Sequence, residues 1–519
     1  MVFEALNPSG QSYLLWHRFR MPNDHGSKDA VAVSEGTASE LLSAYTFLLE
    51  HIVLLVWGII LVGTLLIATK RCQSTHPNYK MYSDIWHKRT NPYDILKLSI
   101  KQLFMLRANR FLVIPWVFLA LAFVVVKYAV PIIFAKYIMI GSAAPVNPEV
   151  IFLPSLNGTS PEDPDRNLRL LQNYEIEVPR ALRAAGGVDG ANDTGKADPP
   201  AKVDPPIILQ TLENDEVVMR YNYHYKVTGL DLGLQNQAEL TLHVEGSCVT
   251  DYTWYNISRS DDTWFDDYIW FNDLENINAP LNVKSVSVFD GGPPLAYFAG
   301  LPPADASSTN SSWGAIISSV NRTSFFPGTD PWYRTGLNPN HLADPTDENI
   351  ATNMVLPKRP ALSCWEDSAW EWHGQKSSTS KLYAMPGLNL PDGLQVILSY
   401  MLSEPMIMQL GGYLRVSGLK SSFTSLDGNF NANTSSIYND LQRLVYASYI
   451  ATVNALSETT LYPQGGQVLN DVRPGNILMP GTADFVVFGN GVEALSVKAL
   501  IIIPTLTMLL WIVFILLML

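Results

Sequence analysis

The sequence predicts a membrane-anchored, mainly β (α+β) protein: an extracellular domain built on an antiparallel sheet, carried by two or three transmembrane helices. Three observations predict this. First, the 519 residues are 47% hydrophobic and only 16% charged, below the roughly 25% charge of an average soluble domain, and three long stretches carry almost no charge. Second, apolar and polar residues alternate with period two over 217–229 and 238–248, the pattern of strands with one buried face. Third, basic residues concentrate between the first two apolar stretches.

The apolar stretches come in order. Residues 1–51 precede them and are expected to form an exterior tail. IVLLVWGIILVGTLLIAT, residues 52–69, has no charged side chain; a bilayer core of ~30 Å needs about 20 helical residues. No apolar run precedes it to serve as a cleaved signal, so this span is expected to insert the chain. The second stretch, 112–140, begins LVIPWVFLALAFVVV and contains Lys127, Pro115 and Pro131. A span ending at Val126 lets Lys127 reach the outer interface, whereas one running to Ile140 places it in lipid at about 2.5–3.5 kcal/mol. The shorter span is the expectation. The third, ALIIIPTLTMLLWIVFILLML over 499–519, is read as a third helix. With Gly489-Asn490-Gly491 upstream, it alternatively fits a GPI-attachment signal.

Orientation follows from charge. Residues 70–111 hold nine bases and two acids, Asp84 and Asp94, for a net +7, while residues 1–51 hold three bases and six acids. The positive-inside rule puts the basic loop in the cytosol. The tail and the long segment 141–498 then face the lumen or exterior, in the secretory pathway or plasma membrane. Cys72, beside Lys70 and Arg71, is either a palmitoylation site or a free cytosolic thiol. Six glycosylation sequons, at Asn157, Asn192, Asn256, Asn310, Asn321 and Asn433, fall in the outer segment, although its asparagine content would produce several by composition. Only Cys248 and Cys364 lie there, and an oxidising compartment makes their pairing the simplest expectation.

Within the outer segment, residues 141–206 read as a mobile linker. They are rich in Pro, Ala, Gly and Asp and show no periodic apolar positions, so little burial offsets their ordering entropy. Residues 207–498 read as the β-rich domain. In VVMRYNYHYKVTG one face collects Tyr221, Tyr223, Tyr225 and Val227; in AELTLHVEGSC the inner face collects Leu240, Leu242, Val244, Gly246 and Cys248. Further strands are expected at 281–289, 394–402, 413–419 and 484–489, and one amphipathic helix near 437–457. Residues 290–360 read as long surface loops.

Chemistry is sparse. Six carboxylates in DDTWFDDYIWFNDLE, residues 261–275, alternate with bulky aromatics and lack the glycine that lets a Ca²⁺-binding EF-hand loop turn. A solvated face is the expected reading and a Ca²⁺ site the alternative. No G-x-S-x-G elbow, H-E-x-x-H pair or phosphate loop occurs, so no catalytic, metal or cofactor-binding residue is assigned. The acidic balance argues against nucleic acid as a partner; membrane lipid is expected, with a ligand or protein partner unidentified. ALSCWEDSAWEWHGQ, residues 361–375, is the densest cluster. If extended, it puts Glu371 and His373 on one face, a spacing that suits two metal ligands. Three readings stand: a tryptophan-packed disulfide at Cys364, which is preferred; a stacking surface for a flat ligand; or a metal or catalytic pair. Trp365, Glu371 and His373 are the ligand-site candidates.

This layout, with early spans, a linker, a strand ending in Gly246-Ser247-Cys248 and a later CWEDSAW over 364–370, resembles uncharacterised integral membrane proteins of filamentous fungi. The resemblance covers the layout of most of the chain and implies no activity. Some fungal proteins of this kind lie in secondary-metabolite gene clusters. The expected function is that of an integral membrane glycoprotein whose exterior domain binds a ligand or supports an assembly, without a catalytic centre. The alternative is a membrane-tethered enzyme or accessory factor in fungal secondary-metabolite biosynthesis.

Overall fold

The computed structural model describes residues 9–24, 26–71, 85–87, 91–105, 110–155, 166–193, 200–212, 216–260, 263–268, 295–300, 310–318, 322–347, 350–425, 428–462 and 469–518. The chain forms two compact units. One is built mainly on Ser27–Pro145 and Phe488–Leu519, the other on Val146–Val487.

In the first unit, β1 (Arg18–Asn23) and β2 (Gly26–Ser34) lead directly into α1 (Glu35–Arg71). The stretch expected to be a tail therefore carries two strands and the opening turns of a 37-residue helix. Ser34 starts that helix: its Oγ accepts the Thr37 N–H at 3.3 Å, satisfying one of the orphan donors of a helix N-terminus. After α2 (Pro92–Met105) comes α3 (Arg110–Ile138). Contrary to the expectation of a short span, α3 runs unbroken past Lys127, with Pro115 and Pro131 inside it. The lysine is accommodated because its Nζ lies 3.9 Å from Glu50 of α1. Strand Val492–Ser496 sits between β2 and Met139–Gly141, antiparallel to both, and feeds the C-terminal helix Val497–Met518.

Three helices of this unit are long and apolar enough to cross a membrane, over Glu35–Thr64, Val113–Ile138 and Val497–Met518. They pack through specific contacts. Tyr45 donates its hydroxyl to the Leu500 carbonyl at 2.8 Å, and the Trp511 indole N–H donates to His51 Nε2 at 2.7 Å. Gly58 leaves room for Phe514, whose ring would lie 2.8 Å from an added Cβ. Trp57, fully buried, packs at 5.1 Å on the Phe123 ring.

The second unit contains α4 (Arg166–Asp193), β3 (Lys202–Val203), β4 (Ile207–Thr211), β5 (Val217–Thr228) and β6 (Thr241–Asp251). Next come β7 (Leu295–Gly300), β8 (Asn310–Ser318), β9 (Ala361–Trp372) and β10 (Gln375–Ser377), then α5 (Asp392–Leu402), α6 (Met406–Leu414) and α7 (Ile437–Val453). The strands form one eight-stranded sheet in the order β7–β8–β9–β6–β5–β3, with β10 added beside β9 and β4 beside β5. Every pairing is antiparallel. As the alternation predicts, Tyr221, Tyr223, Tyr225 and Val227 of β5 are buried while His224 and Lys226 are exposed. The buried face meets α7, where Tyr225 and Tyr449 make an edge contact at 6.1 Å.

Four expectations change here. Residues 290–360, expected as long surface loops, supply β7 and β8 of the central sheet. Residues 166–193 of the expected linker form α4, which buries Asn173, Ile176, Glu177, Arg180, Ala181, Ala184, Ala185 and Val188. That is helical spacing, but the stripe is made of alanines and ionic groups, so it carries no conspicuous hydrophobic period. Residues 394–402, expected as a strand, belong to α5, whose buried positions 394, 397, 398, 401 and 402 follow the 3.6-residue repeat. Short apolar runs are ambiguous between the two. Residues 413–419 end α6 and continue as a 3₁₀ turn over Arg415–Gly418. The strand expected at 281–289 lies outside the described residues, the one near 484–489 is found at Val486–Phe488, and the helix expected near 437–457 is α7 with a short continuation, Ala455–Glu458.

Candidate functional site

The registers of β5, β6, β9 and β8 set residues in rows across the buried face. Cys248 lies directly opposite Cys364, with Cα atoms 4.1 Å apart, and the two are joined by a disulfide. The separation suits a non-hydrogen-bonded antiparallel pair. Tyr221 and Trp313, both buried, flank this pair on the outer strands. The next row is Tyr223–Gly246–Glu366. Gly246 has no side chain, so the Tyr223 ring lies over it and its hydroxyl donates to Glu366 Oε2 at 2.8 Å. The Ser368 hydroxyl donates to the other oxygen at 2.9 Å. Burial pushes the Glu366 carboxyl up to about 7.

The tryptophan-rich stretch is therefore strand β9 and its turn. Trp370 is fully buried and donates to Thr379 Oγ1 at 3.0 Å, while Trp365, 48% exposed, points to the opposite side. His373 and Gly374 form the two-residue loop between β9 and β10, with φ of 49° and 80°. Positive φ at both loop positions is what a type I′ hairpin turn requires. Glu371 and His373 do not converge. Glu371 lies 3.2 Å from His243 and His373 lies 3.5 Å from Glu239, giving two separate, solvent-accessible pairs. Among the described residues no group of three or more His, Cys, Asp or Glu side chains is placed to hold a metal ion.

Two further carboxyls, Asp440 fully buried and Asp330 half-buried, brace α7. Asp330 accepts the Trp332 N–H at 2.9 Å and the Ile437 N–H, in the first turn of α7, at 3.0 Å. Asp440 accepts the Tyr333 hydroxyl at 2.6 Å, the Ser421 hydroxyl at 2.7 Å and the Ser421 N–H at 2.8 Å. Burial raises both, Asp330 to about 7. Their oxygens serve donors of the fold itself.

A groove suited to a ligand lies elsewhere in this unit, along the sheet's β7 edge and beneath α6. Tyr297 and Phe298 of β7, Tyr413 of α6 and Tyr174 of α4 line a cavity of about 320 Å³, with Glu404, Gln409 and Arg415 as its polar groups. Gly411 permits this approach, since an added Cβ would enter the Phe298 ring. Tyr174 and Tyr413 meet edge to face at 5.3 Å. Behind them, Tyr400 donates to Asn173 at 3.1 Å, Tyr462 donates to Glu177 at 3.2 Å, and Arg180 pairs with Glu177 at 2.8 Å. Burial, with Glu177 nearby, raises the Tyr413 phenol to about 12. Arg415 holds φ 49°, ψ −119°, a backbone state costing a non-glycine residue about 1–3 kcal/mol.

Sequence reasoning singles out none of the groove residues as a ligand contact. Three segments supply them, and the Gly411-Gly412 pair before Tyr413 is the one local sign of close backbone approach. Of the sequons, Asn433 lies exposed in a turn, Asn256 and Asn310 lie in strands, Asn192 is in the last turn of α4, and Asn157 and Asn321 fall outside the described residues. In the acidic patch, residues 263–268 pair as a hairpin with 255–260; residues 261, 262 and 269–275 fall outside the described residues. Residues 178–487 match a family described as a domain of unknown function, DUF8406. No curated protein and no solved structure matches the chain.

Proposed function

Because the chain belongs to the DUF8406 family, whose matched span falls within the Val146–Val487 unit, we propose that this unit is a ligand-binding module held to a membrane by the apolar helices. The groove carries this reading. Four aromatic rings beside one guanidinium form a surface for a flat or amphipathic organic molecule with an anionic group, since rings supply stacking area and Arg supplies a fixed charge. The carboxyls of the interior and its margin argue for binding over catalysis: Glu366, Asp330 and Asp440 are engaged by hydrogen-bond donors of the fold. The three long apolar helices support membrane insertion, and the basic loop 70–111 supports an exterior position for the large unit.

The test uses the purified full chain in detergent and naphthalene-2-carboxylate, which joins a flat ring to an anion, followed by saturation-transfer NMR. Wild type binds, and Tyr413→Ala and Arg415→Gln each weaken binding by about ten-fold, the loss expected for one stacking or charge-assisted contact. Equal binding by all three proteins removes the groove from the function. Chemical conversion of the probe, rather than its return unchanged, transfers the groove to the enzymatic alternative. Orientation is read separately, by loss of mass on N-glycosidase treatment of sealed vesicles.

A further inference from the structure

We propose that the helical unit holds a binding site for the headgroup of an anionic phospholipid at the end of the apolar helices marked by Lys136 and Lys498. A cavity of about 640 Å³ opens there, between the last turn of α3, the first turns of the C-terminal helix and the β1–β2 hairpin. Its wall divides into two chemical halves. Arg20, Lys28, Lys136 and Lys498 bring four cations against one acid, Asp29, in a chain whose net charge is −13. The other half is apolar, with Phe134, Ile502 and Ile503.

Ion pairing within the fold does not account for three of the four cations. Lys28, Lys136 and Lys498 have no ion-pair partner among the described residues. Lys498 stands in the first turn of the C-terminal helix, where the helix dipole disfavours a cation. Like charges gathered from four elements raise the local potential and attract an anion. The apolar half selects among anions. Ile502 and Phe134 are themselves largely exposed, and the exposed apolar face continues along both helices through Ile133, Leu506 and Leu509. A phosphate held by the lysines would therefore have its acyl chains laid along the helices. A soluble anion has no use for that surface. This inference rests on the reading that the helices lie in a membrane.

The experiment is native mass spectrometry of the full chain in detergent, with dioleoyl phosphatidylserine or dioleoyl phosphatidylcholine added at equal concentration. Wild type retains the serine lipid about ten-fold or more over the choline lipid, the preference expected when one lysine makes a charge-assisted contact to the serine carboxylate. The Lys28→Gln, Lys136→Gln, Lys498→Gln triple variant, matched to wild type in thermal unfolding, loses that preference. Equal retention of the two lipids by wild type overturns the proposal, whether or not the variant folds. So does an unchanged preference in a folded variant, or full displacement of the lipid by millimolar inorganic phosphate. Alkaline carbonate extraction separates the two levels. Protein that remains in membranes but shows no lipid preference loses only this site, whereas protein released by carbonate loses the membrane reading as well.

Discussion

Tyr223 and Glu366 meet at 2.8 Å across the bare backbone of Gly246, on three adjacent strands of one sheet. The tyrosine hydroxyl reaches a carboxyl two strands away only because the strand between them presents no side chain. Both groups are buried, and a buried donor or acceptor left unpaired costs about 1–3 kcal/mol. The glycine, the phenol and the acid therefore form one structural unit.

Gly246→Ala tests that unit. The added methyl enters the Tyr223 ring, so the ring must move and its bond to Glu366 breaks. Overpacking and a lost buried hydrogen bond together lower stability by about 3 kcal/mol, read as a shift in the urea midpoint of the full chain in detergent. A loss under about 1 kcal/mol would mean the ring relocates freely.

Stability should fall as pH rises. Burial raises Glu366 from 4.5 to about 7 and Asp330 from 3.8 to about 7. The folded state thus keeps protons that the unfolded chain releases over this window. The stabilisation is fully present below the unfolded values and is lost as pH climbs to 7, by about 3 kcal/mol for Glu366 alone. Glu366→Gln preserves a partner for Tyr223 and removes one titration. Its melting temperature should decline less between pH 5 and pH 8 than that of wild type; parallel declines would remove Glu366 from the account.

Reducing the Cys248–Cys364 bond frees a span of 116 residues. The chain-entropy treatment assigns about 4–5 kcal/mol to a closure of that length, with measured values often lower. The Cys248→Ala, Cys364→Ala double variant should match reduced wild type in its unfolding midpoint and should not respond to dithiothreitol. A response in the double variant would place the redox effect elsewhere.

Arg415 sets binding against stability. Glycine adopts φ 49° without steric cost, so Arg415→Gly relieves strain and should raise stability by about 1 kcal/mol. The same change removes the groove's guanidinium and weakens naphthalene-2-carboxylate binding. A variant that is both destabilised and fully binding-competent would show the arginine to be structural.

The parts legible in sequence are those where one physical signal dominates. β5 and β6 announce themselves because one face is buried and the other wet, and the disulfide follows because only two cysteines lie in the large unit's segment. α4 does not, because alanines and the Glu177–Arg180 pair form its buried stripe and ionic groups read as surface. α5 fails for the opposite reason: LQVILSYML is apolar enough to satisfy either period. The groove needs Tyr174, Tyr297, Tyr413 and Arg415 together, and no local pattern links three segments spread over more than two hundred residues. His373 reads as a ligand in the sequence and serves as a turn residue in the fold, a role visible only in its backbone angles.

The strand Val492–Ser496 has a consequence for how the molecule is made. It is the middle piece between β2 and Met139–Gly141, yet the ribosome delivers it long after both neighbours. Until then the inner edge of the hairpin, with Ala30, Ala32 and Val33, lacks its pairing partner, and local contacts cannot supply one. Assembly of this sheet thus waits on a strand made long after its neighbours, so that loss of Val492–Ser496 would be a lesion felt at Ala30.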